Sequence, residues 1–178
     1  SLVGSEMCIR DRVGTSRLTI KGVETLTPVT YSVIPDRIEA ATYLSALAVC
    51  GGQIRLRGAR PDHMEMLLRK LEEMGMNLEE DDSGLRAEVT GRLEAVDVST
   101  LQFPGLATDY KPFLVAALTV AHGAGMVTEN IFAGRFRYID ELVRMGAEIR
   151  AEGRHAVVRG VDRLSGAPVR AHDIRAGA

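Results

Sequence analysis

Three aspartates stand where an apolar helix is about to begin: Asp36 in Pro35-Asp36-Arg37-Ile38-Glu39, Asp109 in Thr108-Asp109-Tyr110-Lys111, and Asp173 in His172-Asp173-Ile174-Arg175-Ala176. A carboxylate in that position has two uses. It can accept the orphan N–H groups of the first turn as an N-cap. If it faces a groove, it can orient a substrate hydroxyl and take its proton. Arginines lie close in sequence: Arg37 beside Asp36, Arg175 shortly after Asp173, and Arg135 at the head of Arg135-Phe136-Arg137. A guanidinium donates in a planar fork that suits a carboxylate or a phosphate. Helix starts brought together would add N–H groups and positive dipole ends toward an anionic ligand. On spacing alone, capping is the simpler role for Asp109. Capping or ion pairing serves equally for Asp36 and Asp173, and Arg135 fits a solvated face as well as a ligand.

Other chemistries find no support. His63, His122, His155 and His172 show no metal-ligand spacing, so neither a metal nor a cofactor is expected. Gly51-Gly52 and Gly123-Ala124-Gly125 lack the Gly-Lys-Ser/Thr ending of a phosphate loop and read as helix stops. Arg55, Arg57, Arg60 and Arg69 read as solvated faces. The two cysteines make no disulfide framework. Cys50 ends the apolar run Ala46-Leu47-Ala48-Val49-Cys50 and is expected to be a buried, unreactive thiol.

The 178 residues, 46% hydrophobic and only 4% aromatic with no Trp, predict an aliphatic core built from Leu, Val, Ile, Ala and Met. A net charge of −2 gives no general drive toward nucleic acid or anionic lipid. No run approaches the roughly 18 apolar residues of a membrane span. With no signal-peptide pattern either, a cytoplasmic location is expected.

The elements that must carry these residues repeat. Leu71-Glu72-Glu73-Met74-Gly75 returns as Leu142-Val143-Arg144-Met145-Gly146, 71 residues later. A period of that size marks a duplicated folding unit. Unit one is expected over about 33–90: a helix from Asp36 to Cys50 stopped by Gly51-Gly52, a strand over Gln53 to Gly58, and an amphipathic helix from Pro61-Asp62 with Met64, Leu67, Leu68 and Leu71 inward. Gly75 ends that helix, and a hairpin turned at Asp81-Asp82-Ser83-Gly84 follows. Unit two, about 96–162, repeats the order. A strand around Val98 leads to a helix from Asp109 to His122 and a strand over Met126 to Thr128. A helix carrying Tyr138, Ile139, Leu142 and Met145 and a hairpin across Glu152-Gly153 complete it. A third unit is expected to start over 170–178 and to be cut off in mid-helix, which reads as truncation. A strand is expected over Arg17 to Val23. Residues 1–12, SLVGSEMCIRDR, show no periodicity and read as a non-native segment, leaving 13–178 as a partial domain. The fold class is α/β, with apolar central helices covered by strands.

Several motifs match a family: Val33-Ile34-Pro35-Asp36-Arg37-Ile38-Glu39-Ala40, Arg60-Pro61-Asp62-His63, Pro104-Gly105-x-x-Thr108-Asp109, Thr128-Glu129-Asn130-Ile131-Phe132-x-x-Arg135-Phe136, Gly160-Val161-x-x-Leu164-Ser165-Gly166-Ala167-Pro168-Val169 and Asp173-Ile174-Arg175-Ala176. In this order, they resemble the UDP-N-acetylglucosamine 1-carboxyvinyltransferases from about residue 14 onward. The resemblance implies an inside-out α/β barrel domain built from repeated units, with the active site in a cleft shared with a second, catalytic-loop domain of the same polypeptide. It implies UDP-N-acetylglucosamine and phosphoenolpyruvate as substrates. It gives Asp109 the position of the aspartate that contacts the sugar hydroxyl as its general base, and Ile131 that of a backbone contact to the UDP-sugar. Arg135 takes the position of an arginine near the phosphoenolpyruvate end, and Asp36, Asp173 and Arg175 those of further cleft residues. Two departures stand out. Tyr110-Lys111 occupies the place of Met-Gln in many members. The family's Lys-Asn phosphoenolpyruvate motif, its loop arginine and its loop cysteine have no match, and neither Cys8 nor Cys50 lies in that motif. The chain is therefore expected to be inactive alone. The shikimate-pathway enolpyruvyl transferase and a non-catalytic, repeat-built binding module are the alternatives.

Overall fold

The computed structural model describes residues 28–171. The strand expected over Arg17 to Val23, the segment 1–12, and Asp173 and Arg175 of the third start lie outside them. The chain divides into two compact units, Ser1–Ile34 and Pro35–Ala178. Of the first, residues 28–34 are described and run without helix or strand.

The second unit opens with α1, Arg37–Cys50, whose N-cap is Asp36. The Asp36 carboxylate accepts the Ile38 N–H at 2.8 Å, which satisfies one of the orphan donors of the first turn. Ala40, Ala41, Leu44, Ser45, Leu47 and Ala48 are buried, so most of the helix circumference is covered. Gly51 ends it as expected. Cys50, however, is exposed: it is the last helical residue and stands beyond the covered turns.

Strand β1, Gly52–Arg57, follows. The next helix begins later than expected. Pro61–His63 forms a separate 3-10 turn, and α2 covers Glu65–Glu73. Between them the buried Met64 takes a non-helical backbone (φ −139°, ψ 25°), which brings its side chain into the core and breaks the helix. β2, Asn77–Asp81, and β3, Gly84–Val89, make the expected hairpin. The sheet order is β1-β3-β2, antiparallel throughout.

β4, Val98–Ser99, precedes the second copy of this order. A 3-10 turn over Thr108–Tyr110 leads into α3, Lys111–Leu118. α3 ends four residues short of His122. Its last carbonyls are taken by tighter i→i+3 bonds from Val120 and Ala121. The Arg92 guanidinium holds the Val120 and Ala121 carbonyls at 2.8 and 3.0 Å, which fixes the unwound turn. β5 (Ala124–Thr128), α4 (Ile139–Arg144), β6 (Glu148–Glu152) and β7 (His155–Arg159) complete the copy. The second sheet runs β4-β5-β7-β6, with β4 parallel to β5 and the rest antiparallel. Thus β5-β7-β6 repeats β1-β3-β2. α1 and α3 pack side by side, joined by a buried bond from the Ser45 hydroxyl to the Phe113 carbonyl at 3.0 Å.

The five-residue echo has a backbone cause. At the end of α2 the Met76 N–H reaches the Leu71 carbonyl at 2.9 Å and the Gly75 N–H reaches Glu72 at 2.8 Å. At the end of α4 the Ala147 N–H reaches Leu142 at 3.0 Å and the Gly146 N–H reaches Val143 at 2.9 Å. Both are Schellman caps, which need a left-handed residue after the cap. Gly75 and Gly146 supply it at φ 101° and 94°. A Cβ at either position would find only ordinary contacts, with Leu93 at 3.9 Å and with Ser165 at 3.7 Å. The cost of a side chain there is therefore conformational. Gly75→Ala and Gly146→Ala should each lower the unfolding free energy by about 1–2 kcal/mol in urea titrations. Gly166→Ala, in open space at an ordinary φ, should change it by less than about 0.5 kcal/mol.

Candidate functional site

Asp109 lies inside the 3-10 turn that precedes α3, and the cap positions of that turn and of α3 fall on Ala107 and Tyr110, neither of which makes a side-chain cap bond. Asp109 is thus not an N-cap, unlike Asp36. Pro112 sits at the start of α3, where its missing N–H leaves no gap in the helical bonding. The Asp109 carboxylate instead meets Arg135, whose Nη1 stands 3.2 Å from Oδ1 and also donates to the Thr108 hydroxyl at 3.2 Å. Both side chains are part-open to solvent, at 29% and 34% exposure. The Phe132 ring lies against the guanidinium at 4.7 Å.

Behind this pair lies a charged cluster that the sequence reading did not single out. Lys111 and Glu129 are each 1% exposed and 2.8 Å apart. Glu129 Oε1 accepts from the Thr100 hydroxyl at 2.8 Å and from the N–H groups of Ile131 and Phe132 at 2.8 and 3.1 Å. Oε2 accepts from the Thr108 hydroxyl at 2.6 Å as well as from Lys111. Lys111 Nζ also donates to the Arg135 carbonyl at 2.8 Å and sits 4.0 Å from the centre of the Phe136 ring. Burial opposes the charge on Glu129. The bonds from Lys111, Thr108, Thr100 and the Ile131 N–H outweigh it and hold the carboxyl at about 2. Burial lowers the Lys111 ammonium below its ordinary value, with Glu129 pulling the other way. The available signal was a lone lysine at the head of the apolar run Lys111-Pro112-Phe113-Leu114-Val115, which demands an anionic partner once that run is buried.

The remaining expected residues divide. Ile131 sits beside the pair with its N–H taken by Glu129. Asp36 caps α1, yet its charge reaches the same neighbourhood. The Tyr110 hydroxyl is pushed up to about 12, first by burial and then by Asp109 and Asp36, against the pull of Arg37. The turn before α3 also packs against α1. Two grooves border α1, and neither is lined by Asp109 or Arg135. One groove of about 510 Å³ runs between α1, α3 and α4 past Val49, Phe113, Leu142 and Met145. Another, of about 520 Å³, lies at the start of α1 by Asp36, Tyr43, Arg55 and Arg57. Among the described residues no cluster of three or more His, Cys, Asp or Glu could hold a metal ion, and no helix is long and apolar enough to cross a membrane.

The depressed Glu129 value has a measurable consequence. Its stabilising effect is fully present above the ordinary carboxyl value of 4.5 and is lost as pH falls toward about 2. The stability difference between the wild type and Glu129→Gln should shrink by about 3 kcal/mol between pH 5 and pH 2 in paired denaturant titrations. A difference that stays constant over that range would contradict the charge assignment.

Comparison with known proteins adds to this geometry. The family model for EPSP synthase (3-phosphoshikimate 1-carboxyvinyltransferase) matches residues 6–178. A UDP-N-acetylglucosamine 1-carboxyvinyltransferase of Thermotoga petrophila is 48% identical over 165 residues, 93% of this chain and 39% of that protein. One from Gluconacetobacter diazotrophicus is 49% identical over 163 residues, 92% of this chain and 39% of that protein. The chain thus spans about two fifths of the length of the curated relatives it matches. Among solved structures, the enolpyruvyl transferase NikO from Streptomyces tendae superposes with a TM-score of 0.69 at 25% identity, covering 81% of this chain and 35% of that one. An EPSP synthase from Acinetobacter baumannii, at 17% identity and a TM-score of 0.59 over 83% of this chain and 36% of that one, shares the fold. The chain belongs to the EPSP synthase (3-phosphoshikimate 1-carboxyvinyltransferase) family of enolpyruvyl transferases, and the relatives it matches are UDP-N-acetylglucosamine 1-carboxyvinyltransferases.

Proposed function

We propose that this chain forms one wall of the active-site cleft of a cytoplasmic enzyme that transfers the enolpyruvyl group of phosphoenolpyruvate to the 3-hydroxyl of UDP-N-acetylglucosamine, the first committed step of peptidoglycan precursor synthesis. The observation that carries this reading is the half-open Asp109 carboxylate beside Arg135, on a chain up to 49% identical to proteins of that name. The two repeats are then two units of an inside-out α/β barrel, about 33–90 and 96–162, with a third beginning at 170–178. Residues 1–12 are read as a non-native segment, although the family match begins at residue 6, and the catalytic-loop domain of the same polypeptide supplies the opposite wall.

In this reading the sugar oxygen adds to C2 of phosphoenolpyruvate while its proton passes to Asp109. C3 takes a proton from an acid on the other wall. Loss of a proton from C3 then expels phosphate and restores the double bond. Asp109 orients the hydroxyl and accepts its proton, a role worth on the order of 100- to 10,000-fold in rate. Arg135 offers a planar fork to the anionic substrate, since phosphate and carboxylate both match its geometry. The Ile131 N–H is occupied by Glu129, so a backbone contact to the nucleotide sugar falls to the Ile131 carbonyl. The family resemblance assigns Asp36, Asp173 and Arg175 to substrate binding as well, Asp36 also holding the start of α1.

The relatives' names favour this substrate over that of the shikimate pathway. Calorimetric titration of the chain with UDP-N-acetylglucosamine should show binding that Asp109→Ala abolishes, and 3-phosphoshikimate should produce no heat. Binding unchanged by the substitution would remove Asp109 from the site, and binding of 3-phosphoshikimate alone would favour the alternative. With both substrates present, the chain should release no phosphate, because no residue in it matches the family's proton donor.

A further inference from the structure

We infer that the buried Lys111–Glu129 pair is a positioning device that sets Asp109 and Arg135 against each other. This rests on the reading of Asp109 and Arg135 as substrate-facing residues. Asp109 sits on the turn before α3, and Arg135 sits on the loop after β5, separated by 26 residues. Arg135 Nη1 reaches Asp109 Oδ1 at 3.2 Å, which is long for a charged pair. The stronger links run underneath. Glu129 grips Thr108 on one side of Asp109, at 2.6 Å, and Lys111 on the other, at 2.8 Å. Lys111 grips the Arg135 carbonyl at 2.8 Å. The other oxygen of Glu129 closes the loop upstream of Arg135 through the Ile131 and Phe132 N–H groups. Besides the direct contacts of Arg135 with Asp109 and Thr108, turn and loop are therefore joined by bonds that pass through two interior charges.

Those charges suit the task because they are out of water. A buried pair interacts through a lower dielectric, and neither partner can leave without stranding the other. Each also neutralises the other, so Arg135 is left to answer the charge on Asp109. The surrounding hydroxyls of Thr100 and Thr108 complete the carboxylate's bonding and fix its orientation. Lys111 and Glu129 are positioning residues: each is 1% exposed and acts through its neighbours.

The test uses the 178-residue chain uniformly labelled with nitrogen-15. The Arg135 Nε–Hε resonance, assigned by its loss in Arg135→Lys, should be shifted and motionally restricted in the wild type. In the double variant Lys111→Met with Glu129→Gln it should collapse to the position of solvent-exposed arginines, while the Ile54 and Ala87 amides of the first sheet stay in place. An Arg135 resonance unmoved in the folded variant overturns the inference. If the double variant loses the Ile54 and Ala87 signals, Lys111→Gln decides by the same criterion, since it removes one charge and keeps a donor. UDP-N-acetylglucosamine titrations run alongside: a tenfold or greater loss of affinity in the variant supports the inference, and retained wild-type affinity counts against it. A wild type that does not bind the nucleotide sugar counts against the proposed function alone, and the Arg135 resonance still decides the positioning role.

Discussion

An ammonium and a carboxylate share the interior of the second repeat, and neither could be buried there by itself. An isolated charge in such a place carries a penalty of several kcal/mol, and the mutual attraction of two offsets it only when the remaining bonding capacity is filled. Here it is filled. The Glu129 carboxylate receives five hydrogen bonds, counting Lys111, and Lys111 lies between Glu129, the Arg135 carbonyl and the Phe136 ring. Lys111 also opens α3, the end where the helix dipole disfavours a cation, so the carboxylate partner is needed twice over. Such a pair adds little net stability compared with well-packed apolar residues. Its consequence is geometric: β4, the turn before α3 and the loop after β5 hold one arrangement.

The duplicated architecture gives this arrangement its frame, and the two copies show where duplication stops being exact copying. Helices α2 and α4 end in the same cap, and the sheets share the β1-β3-β2 pairing. The helix starts differ. α1 begins one residue after Asp36, which caps it, whereas α3 begins two residues after Asp109. That one-residue offset, made by a 3-10 turn ahead of Pro112, turns the same residue type from a structural cap into a partner of Arg135. The surroundings of the second helices differ too: Leu71 is buried at 2% exposure, while Leu142 is half-buried and lines the groove between α1, α3 and α4.

Much of the fold could be read from residues alone because its signals are local. A glycine after a helix sets a Schellman cap within six residues. Asp81-Asp82-Ser83-Gly84 and Glu152-Gly153 turn hairpins, and in the second of them β7 alternates exposed and buried residues. The misjudged boundaries have local causes overridden from a distance. Met64 leaves the helix to enter the core, and the turn after α3 is held unwound by Arg92, 28 residues away in sequence from Val120, which takes the Val120 and Ala121 carbonyls. Cys50 was misjudged because hydrophobic neighbours in sequence do not say which turn of a helix is covered.

By itself the sequence determined the α/β class, the duplication, the helix stops at Gly51, Gly75 and Gly146 and the family, since each is written in short-range chemistry or in ordered motifs. Only the tertiary structure decided that Asp109 is not a cap, that it meets Arg135, and that Lys111 and Glu129 stand behind them. The reason is physical. The state and direction of a charged side chain depend on the dielectric around it and on partners that folding brings from elsewhere, here across 26 residues for one pair and 18 for the other (129 − 111).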